Sequence, residues 1–184
     1  MTLQLSRETR LLLLKLARQS IRSKQDNQIY SLETVPDELD FNGGCFVTIN
    51  LRNRLRGCIG NFRDDINIAQ NISEMACQAA FADPRFGPVS KDELGMCEIE
   101  ISVLSPMVKT TADEITVGRD GIYIIKGNSR GVLLPQVATE RDWNSKEFLE
   151  QTCVKAGLSQ NDWKEPDTEI YRFEALIFNE NNLN

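Results

Sequence analysis

The chain has 184 residues, 41% of them hydrophobic and 26% charged, with a net charge of −6 and an isoelectric point near 4.8. That length and balance fit one soluble globular domain over residues 1–184, or one with two lobes, which buries roughly 70% of its unfolded surface without covalent staples. The acidic balance disfavours extended nucleic-acid binding, and the lack of any histidine removes Ser-His-Asp, Cys-His and histidine–metal chemistry from the chain's own repertoire.

Ser6 can cap a helix running to about Lys24, with Leu12, Leu13, Leu16, Ala17 and Ile21 as its apolar face and arginines outside it. The run Leu11–Leu14 is broken by Lys15 and Arg18, so it is too short to span a membrane. Residues 25–44 are rich in turn formers and read as loop. Cys45–Asn50 alternates as a strand, and a turn at Leu51–Arg54, with Asn53 tolerating positive φ, leads to a second strand over Arg54–Ile59. On that strand Leu55, Gly57 and Ile59 are expected to face the core, and Arg54, Arg56 and Cys58 the other side.

A helix follows over about Ile66–Phe81, capped by Asp64 or Asp65, with Ile68, Ile72, Met75, Ala76 and Ala79 as its buried stripe. Asp83-Pro84-Arg85-Phe86 ends it. Glu98–Leu104 alternates as the clearest strand. Gly121–Lys126 and Arg130–Leu134 form a hairpin about Gly127-Asn128, Asn144 or Ser145 opens a helix to about Ala156, and Glu169–Phe178 supplies a closing strand. The hairpins imply antiparallel pairing, so the expected fold class is α+β, with helices on one side of antiparallel sheet.

The five cysteines, Cys45, Cys58, Cys77, Cys97 and Cys153, are odd in number and widely spaced. This pattern argues against a disulfide framework or a structural zinc site and for a reducing, cytoplasmic setting. Cys45, Cys77, Cys97 and Cys153 lie in apolar patterns and read as core. Trp143 and Trp163 flank the last helix and are expected to pack on it, the other reading being that one of them lines a partner interface.

Chemistry concentrates at Leu55-Arg56-Gly57-Cys58-Ile59-Gly60. This hexapeptide lies in a stretch, Phe41 to Arg63, that holds Arg52, Arg54, Arg56 and Arg63 and no acidic residue, leaving −10 on the remaining 161 residues. A basic island in an acidic chain is a candidate site for a small anion. Cys58 is the candidate nucleophile, with Arg56 as a nearby cation; the competing reading is a small buried residue that permits close packing. Arg56 suits a bidentate carboxylate or phosphate, or else an internal salt bridge to Asp83, Glu98 or Glu100. Arg85 can reach the same pocket or bond carbonyls at its helix end. Gly57, Gly60 and Asn61 complete the candidate binding set, with the glycines also explicable as backbone necessities. Gln136, after Pro135, is either a site residue or a staple to the backbone. No metal ligand set and no cofactor is assigned.

The hexapeptide, together with Ala79–Phe86, Glu100–Leu104, Gly121-Ile122, Leu133–Ala138 and Tyr171-Arg172-Phe173, resembles the AMMECR family, also called AmmeMemoRadiSam system protein A, over roughly residues 6–180. The resemblance implies an α+β domain without an established reaction. It also implies association with a Memo-like protein and a radical S-adenosylmethionine enzyme, which would carry any metal or radical step, because this chain has neither histidines nor a cysteine triplet. Three readings follow: a pathway component with an anion pocket at Arg56, Cys58 and Arg85; a non-enzymatic module that docks on such a partner; and nucleotide or RNA binding through the arginines.

Overall fold

The computed structural model describes residues 4–32 and 34–183. In chain order the elements are α1 (Arg7–Gln25), β1 (Cys45–Leu51), β2 (Arg54–Asn61), α2 (Ile68–Phe81), α3 (Lys91–Met96), β3 (Cys97–Leu104), β4 (Val108–Thr110), β5 (Asp120–Lys126), β6 (Ser129–Leu133), α4 (Pro135–Glu140), α5 (Ser145–Lys155), β7 (Glu169–Asn179) and α6 (Glu180–Leu183). The strand registers are antiparallel, and the fold is α+β. The chain divides into two compact units, one comprising residues 4–104 and 176–183 and the other residues 105–175.

In the first unit β1 lies between β2 and β3, and β3 has β7 as its other neighbour. Strand alternation sends Val47, Ile49, Ile99, Ile101 and Val103 to one face, where all are fully buried. Leu13, Leu16, Ala17 and Ile21 of α1 and Ile68, Ile72, Ala76 and Ala79 of α2 close over that face. Each buried isoleucine or leucine contributes about 1.5–3 kcal/mol relative to exposure. Ser6 caps α1 as its type predicts, its Oγ accepting the Thr9 N–H at 3.1 Å.

Three local features depart from the sequence expectations. The cap of α2 is Asn67, not Asp64 or Asp65. Its Oδ1 accepts the Ala69 N–H at 3.0 Å while its Nδ2 donates to the Leu39 carbonyl at 2.8 Å. An amide can serve helix and loop at once, whereas an ionised carboxylate only accepts. The second departure is a slip in register between Ile49 and Asn50, so that Ile49 opposes Gly57 but Asn50 opposes Leu55. Arg56 is therefore the extra residue of a bulge, and Leu55, expected in the core, is 43% exposed. The third is α3, which starts at a capping box: the Ser90 Oγ accepts the Glu93 N–H at 3.2 Å and Glu93 Oε2 accepts the Ser90 N–H at 2.9 Å.

In the second unit β5 lies between β6 and β7, and β4 pairs with β7. Ile122 and Ile124 of β5 are fully buried in one cluster with Ala138 of α4 and Phe148, Leu149 and Cys153 of α5. Trp143 and Trp163 pack at the border of this cluster, as expected. Short α4 begins with Pro135 in its first turn, a position where the missing N–H has no helical partner to lose. Among the described residues no helix is long and apolar enough to cross a membrane.

Candidate functional site

The hexapeptide occupies most of β2, whose one paired neighbour in the strand order is β1. Its other edge would be left with unpaired backbone groups. The segment after α2 supplies partners for those of Cys58. Asp83 Oδ2 accepts the Cys58 N–H at 2.9 Å, and Arg85 Nη2 donates to the Cys58 carbonyl at 3.3 Å. The two side chains also hold each other: Arg85 donates from Nε to Asp83 Oδ1 at 3.0 Å and from Nη2 to Oδ2 at 2.7 Å.

Arg56 is tied to the same segment further along. Its Nε and Nη2 donate to the two Glu93 oxygens at 3.1 and 3.2 Å, and Nη1 and Nη2 donate to the carbonyls of Gly87 and Pro88 at 2.8 and 3.2 Å. The salt-bridge partner is thus Glu93, not Asp83, Glu98 or Glu100. Glu93 was legible only as half of a capping box, Ser90-x-x-Glu93. The guanidinium carbons of Arg56 and Arg85 lie 6.0 and 5.5 Å from the centroid of the Phe86 ring, within cation–π range.

Gly57 faces α2 so closely that a Cβ would lie 2.1 Å from the Ala79 carbonyl oxygen. At Gly60 a Cβ would meet the Phe46 ring at 2.3 Å and the Cys45 carbonyl oxygen at 2.4 Å. Asn61, two residues beyond Ile59, exchanges amide hydrogen bonds of 2.9 Å each with Asn71 of α2, which is fully buried and also donates to the Gly43 carbonyl at 2.8 Å.

Cys58 points to the face of β2 away from α2, partly buried. It stands opposite Thr48 of β1, whose Oγ1 donates to Cys58 Sγ at 3.3 Å, and Thr48 in turn stands opposite Glu100 of β3. A thiol, a hydroxyl and a carboxylate thus form a row across three strands, each step about 4.8 Å. Thr48 and its place beside Cys58 were not visible in the sequence, because register, not spacing, brings them together.

The structure gathers Arg56, Gly57, Cys58 and Arg85 along one strand edge, with Gly60 and Asn61 next on the same strand. Gln136 belongs to the second unit, on α4, and its Oε1 is buried without a hydrogen-bond partner among the described residues. Of the other cysteines, Cys45, Cys97 and Cys153 are buried and Cys77 partly so, and all five are free thiols.

The family model AMMECR1 matches residues 14–178. The chain belongs to the AMMECR1 family. A protein of Methanothermobacter thermautotrophicus is 40% identical to it, covering 96% of both chains. Protein TK0174 of Thermococcus kodakarensis is 42% identical, covering 91% of this chain and 88% of that one. The crystal structure of the uncharacterized protein PH0010 from Pyrococcus horikoshii matches with a TM-score of 0.83 and 39% identity, covering 92% of this chain and 90% of that one.

In this AMMECR1 member the charges at the motif are paired internally. The Arg85 hydrogen bonds, then the Cys58 N–H, hold the Asp83 carboxyl well below the usual carboxylate range. Arg56 and the Ser90 N–H hold Glu93 at about 2. An anion that sought the Arg56 fork would have to displace Glu93, leaving one carboxylate to exchange for another. Arg85 is the more open cation, its side chain 53% exposed, with Nη1 making no hydrogen bond among the described residues. Among the described residues no group of three or more Cys, Asp or Glu side chains converges to hold a metal ion.

Proposed function

We propose that the chain is a non-catalytic docking component, and that it contacts a Memo-like protein or a radical S-adenosylmethionine enzyme through the face of β1, β2 and β3 that carries Phe46, Thr48, Cys58 and Glu100. The observation that carries this reading is the internal pairing of both motif arginines with carboxylates of the same chain. The motif's outer edge is tied to the segment after α2, and the side chains on the adjoining strand face are of the kind that make contacts: an aromatic ring, a hydroxyl, a thiol and a carboxylate.

The test is binding of the purified chain to each purified partner by biolayer interferometry. Thr48→Lys and Glu100→Lys, both on partly buried positions of a strand face, are expected to abolish binding without unfolding the chain. Failure of the wild-type chain to bind either partner at low salt would sink the proposal.

A second reading is favoured by one observation, the exposed Arg85 guanidinium beside Cys58. It is a small-anion contact in which Arg85 Nη1 is the donor and Cys58 lies alongside. Arg85→Gln separates the two: it removes anion binding and leaves a partner bound through Phe46 and Thr48 in place.

A further inference from the structure

The four arginines of the basic island do not share one fate. Arg56 pairs with Glu93 and Arg63 with Asp65. Arg52 and Arg54, at the turn of the β1–β2 hairpin, make no ion pair among the described residues. Arg52 lines a cavity of about 570 Å³ bounded by that turn, α1, the start of β3 and the start of α6.

One wall of this cavity is a closed network. Arg18 donates to both oxygens of Glu180, at 2.6 and 2.5 Å, and to the carbonyls of Leu94 and Cys97, at 2.7 Å each. Glu180 also accepts the Ile99 N–H at 2.8 Å. These two charges cancel and are fixed in place. Lys15, Arg52 and Glu98 also line the cavity, and none has an ion pair or side-chain hydrogen bond among the described residues. The unpaired groups thus sum to one net positive charge, in a protein whose net charge is −6. Leu11, Leu14 and Met96 supply apolar surface, and Met96 is 53% exposed.

Leu51 pairs with Arg54, so Arg52 and Asn53 alone make the turn, with φ of 52° and 60°. Two successive left-handed residues define a turn that favours asparagine and glycine, and Asn53 conforms. Arginine at the first position is unfavourable for the turn itself, and it is the residue of this turn that brings a charge to the cavity lining.

We infer that this cavity binds a small organic anion, a carboxylate or phosphate with a short apolar portion, held by Lys15 and Arg52. The site shares no residue with the proposed docking face, so either can fail alone.

The experiment is an ¹⁵N NMR titration of the full chain with hexanoate and with hexyl phosphate, using hexanol and inorganic phosphate as controls. Saturable shifts at the amides of Arg52, Asn53 and Gly95 are expected with hexanoate or hexyl phosphate, and the tighter of the two identifies the head group. Arg52→Asn should weaken binding about tenfold or more, the loss of one charge-assisted contact, while the Tm holds or rises because asparagine suits the turn. Arg54→Gln, the same change in charge on the same hairpin but outside the cavity lining, should leave affinity unchanged. The inference is overturned if no titration saturates, if hexanol binds as well as hexanoate, if inorganic phosphate matches hexyl phosphate, or if Arg54→Gln weakens binding as much as Arg52→Asn.

Discussion

The carboxylate of Asp83 accepts the backbone N–H of Cys58, 2.9 Å away across 25 positions of sequence. This bond, with the Arg85 bond to the Cys58 carbonyl, caps the outward backbone groups of β2 at Cys58. Asp83→Ala removes the cap and leaves Arg85 without its carboxylate. The expected result is amide exchange at Cys58 about tenfold faster, the scale of one lost hydrogen bond, with exchange in the α1 and α2 core unchanged. Hydrogen–deuterium exchange read by mass spectrometry over residues 55–61 checks it. Unchanged protection at Cys58 would show that the edge is held by other means.

Acid should loosen the same region. Glu93 is held at about 2 against an ordinary 4.5, and Asp83 lies below its ordinary 3.8. Both folded values are depressed, so the stability they contribute is complete above about pH 4.5 and declines as pH falls toward 2. Glu93→Gln should lower Tm at neutral pH, and its deficit relative to wild type should shrink below pH 4.5. Thermal melts at a series of pH values measure this. A deficit constant down to pH 2 would contradict the pairing with Arg56.

Two glycines should respond in opposite directions to the same change. Gly57→Ala sets a methyl group against the Ala79 carbonyl, backbone against backbone, with no flexible group to yield. It should cost about 1–3 kcal/mol, as overpacking does. At Gly95 of α3 an added Cβ would have nothing within 4 Å of it. Gly95→Ala should therefore be neutral or stabilise by up to about 1 kcal/mol through helix propensity. Urea denaturation of both variants decides.

The thiols should divide by burial. Burial pushes the Cys45 thiol up to about 12, and Cys45 and Cys153 have no exposed surface. In the native protein iodoacetamide should modify Cys58 and Cys77 first, and Cys45 and Cys153 orders of magnitude more slowly, only through local opening. Peptide mass spectrometry after timed alkylation reads each site. Protection of Cys58 equal to that of Cys45 would remove it from the proposed contact face.

Much of the fold was legible because it is written in local, periodic signals. Ser6 with the leucines after it, the alternation of Ile99, Ile101 and Val103, and the glycines of the hairpin turns each act within one or two turns of chain, where backbone geometry alone gives the answer. Ser90 and Glu93, and Pro135 at the head of α4, carried signals of the same kind, for helices so short that hydrophobic periodicity does not register them. The hexapeptide itself marked the family and the strand that matters.

What the sequence could not decide is which groups meet. The register slip at Ile49–Asn50 turned Leu55 outward and made Arg56 a bulge residue, a consequence of how the two strands pair. The four arginines looked alike as a charge run, yet folding set Arg56 against Glu93 and Arg63 against Asp65, and left Arg52 lining a cavity that Lys15 also lines. Net charge along a chain is a sum, but electrostatic energy falls off with distance in space. Only the tertiary structure, by fixing those distances, separates an arginine that holds the fold together from one that remains available to a ligand.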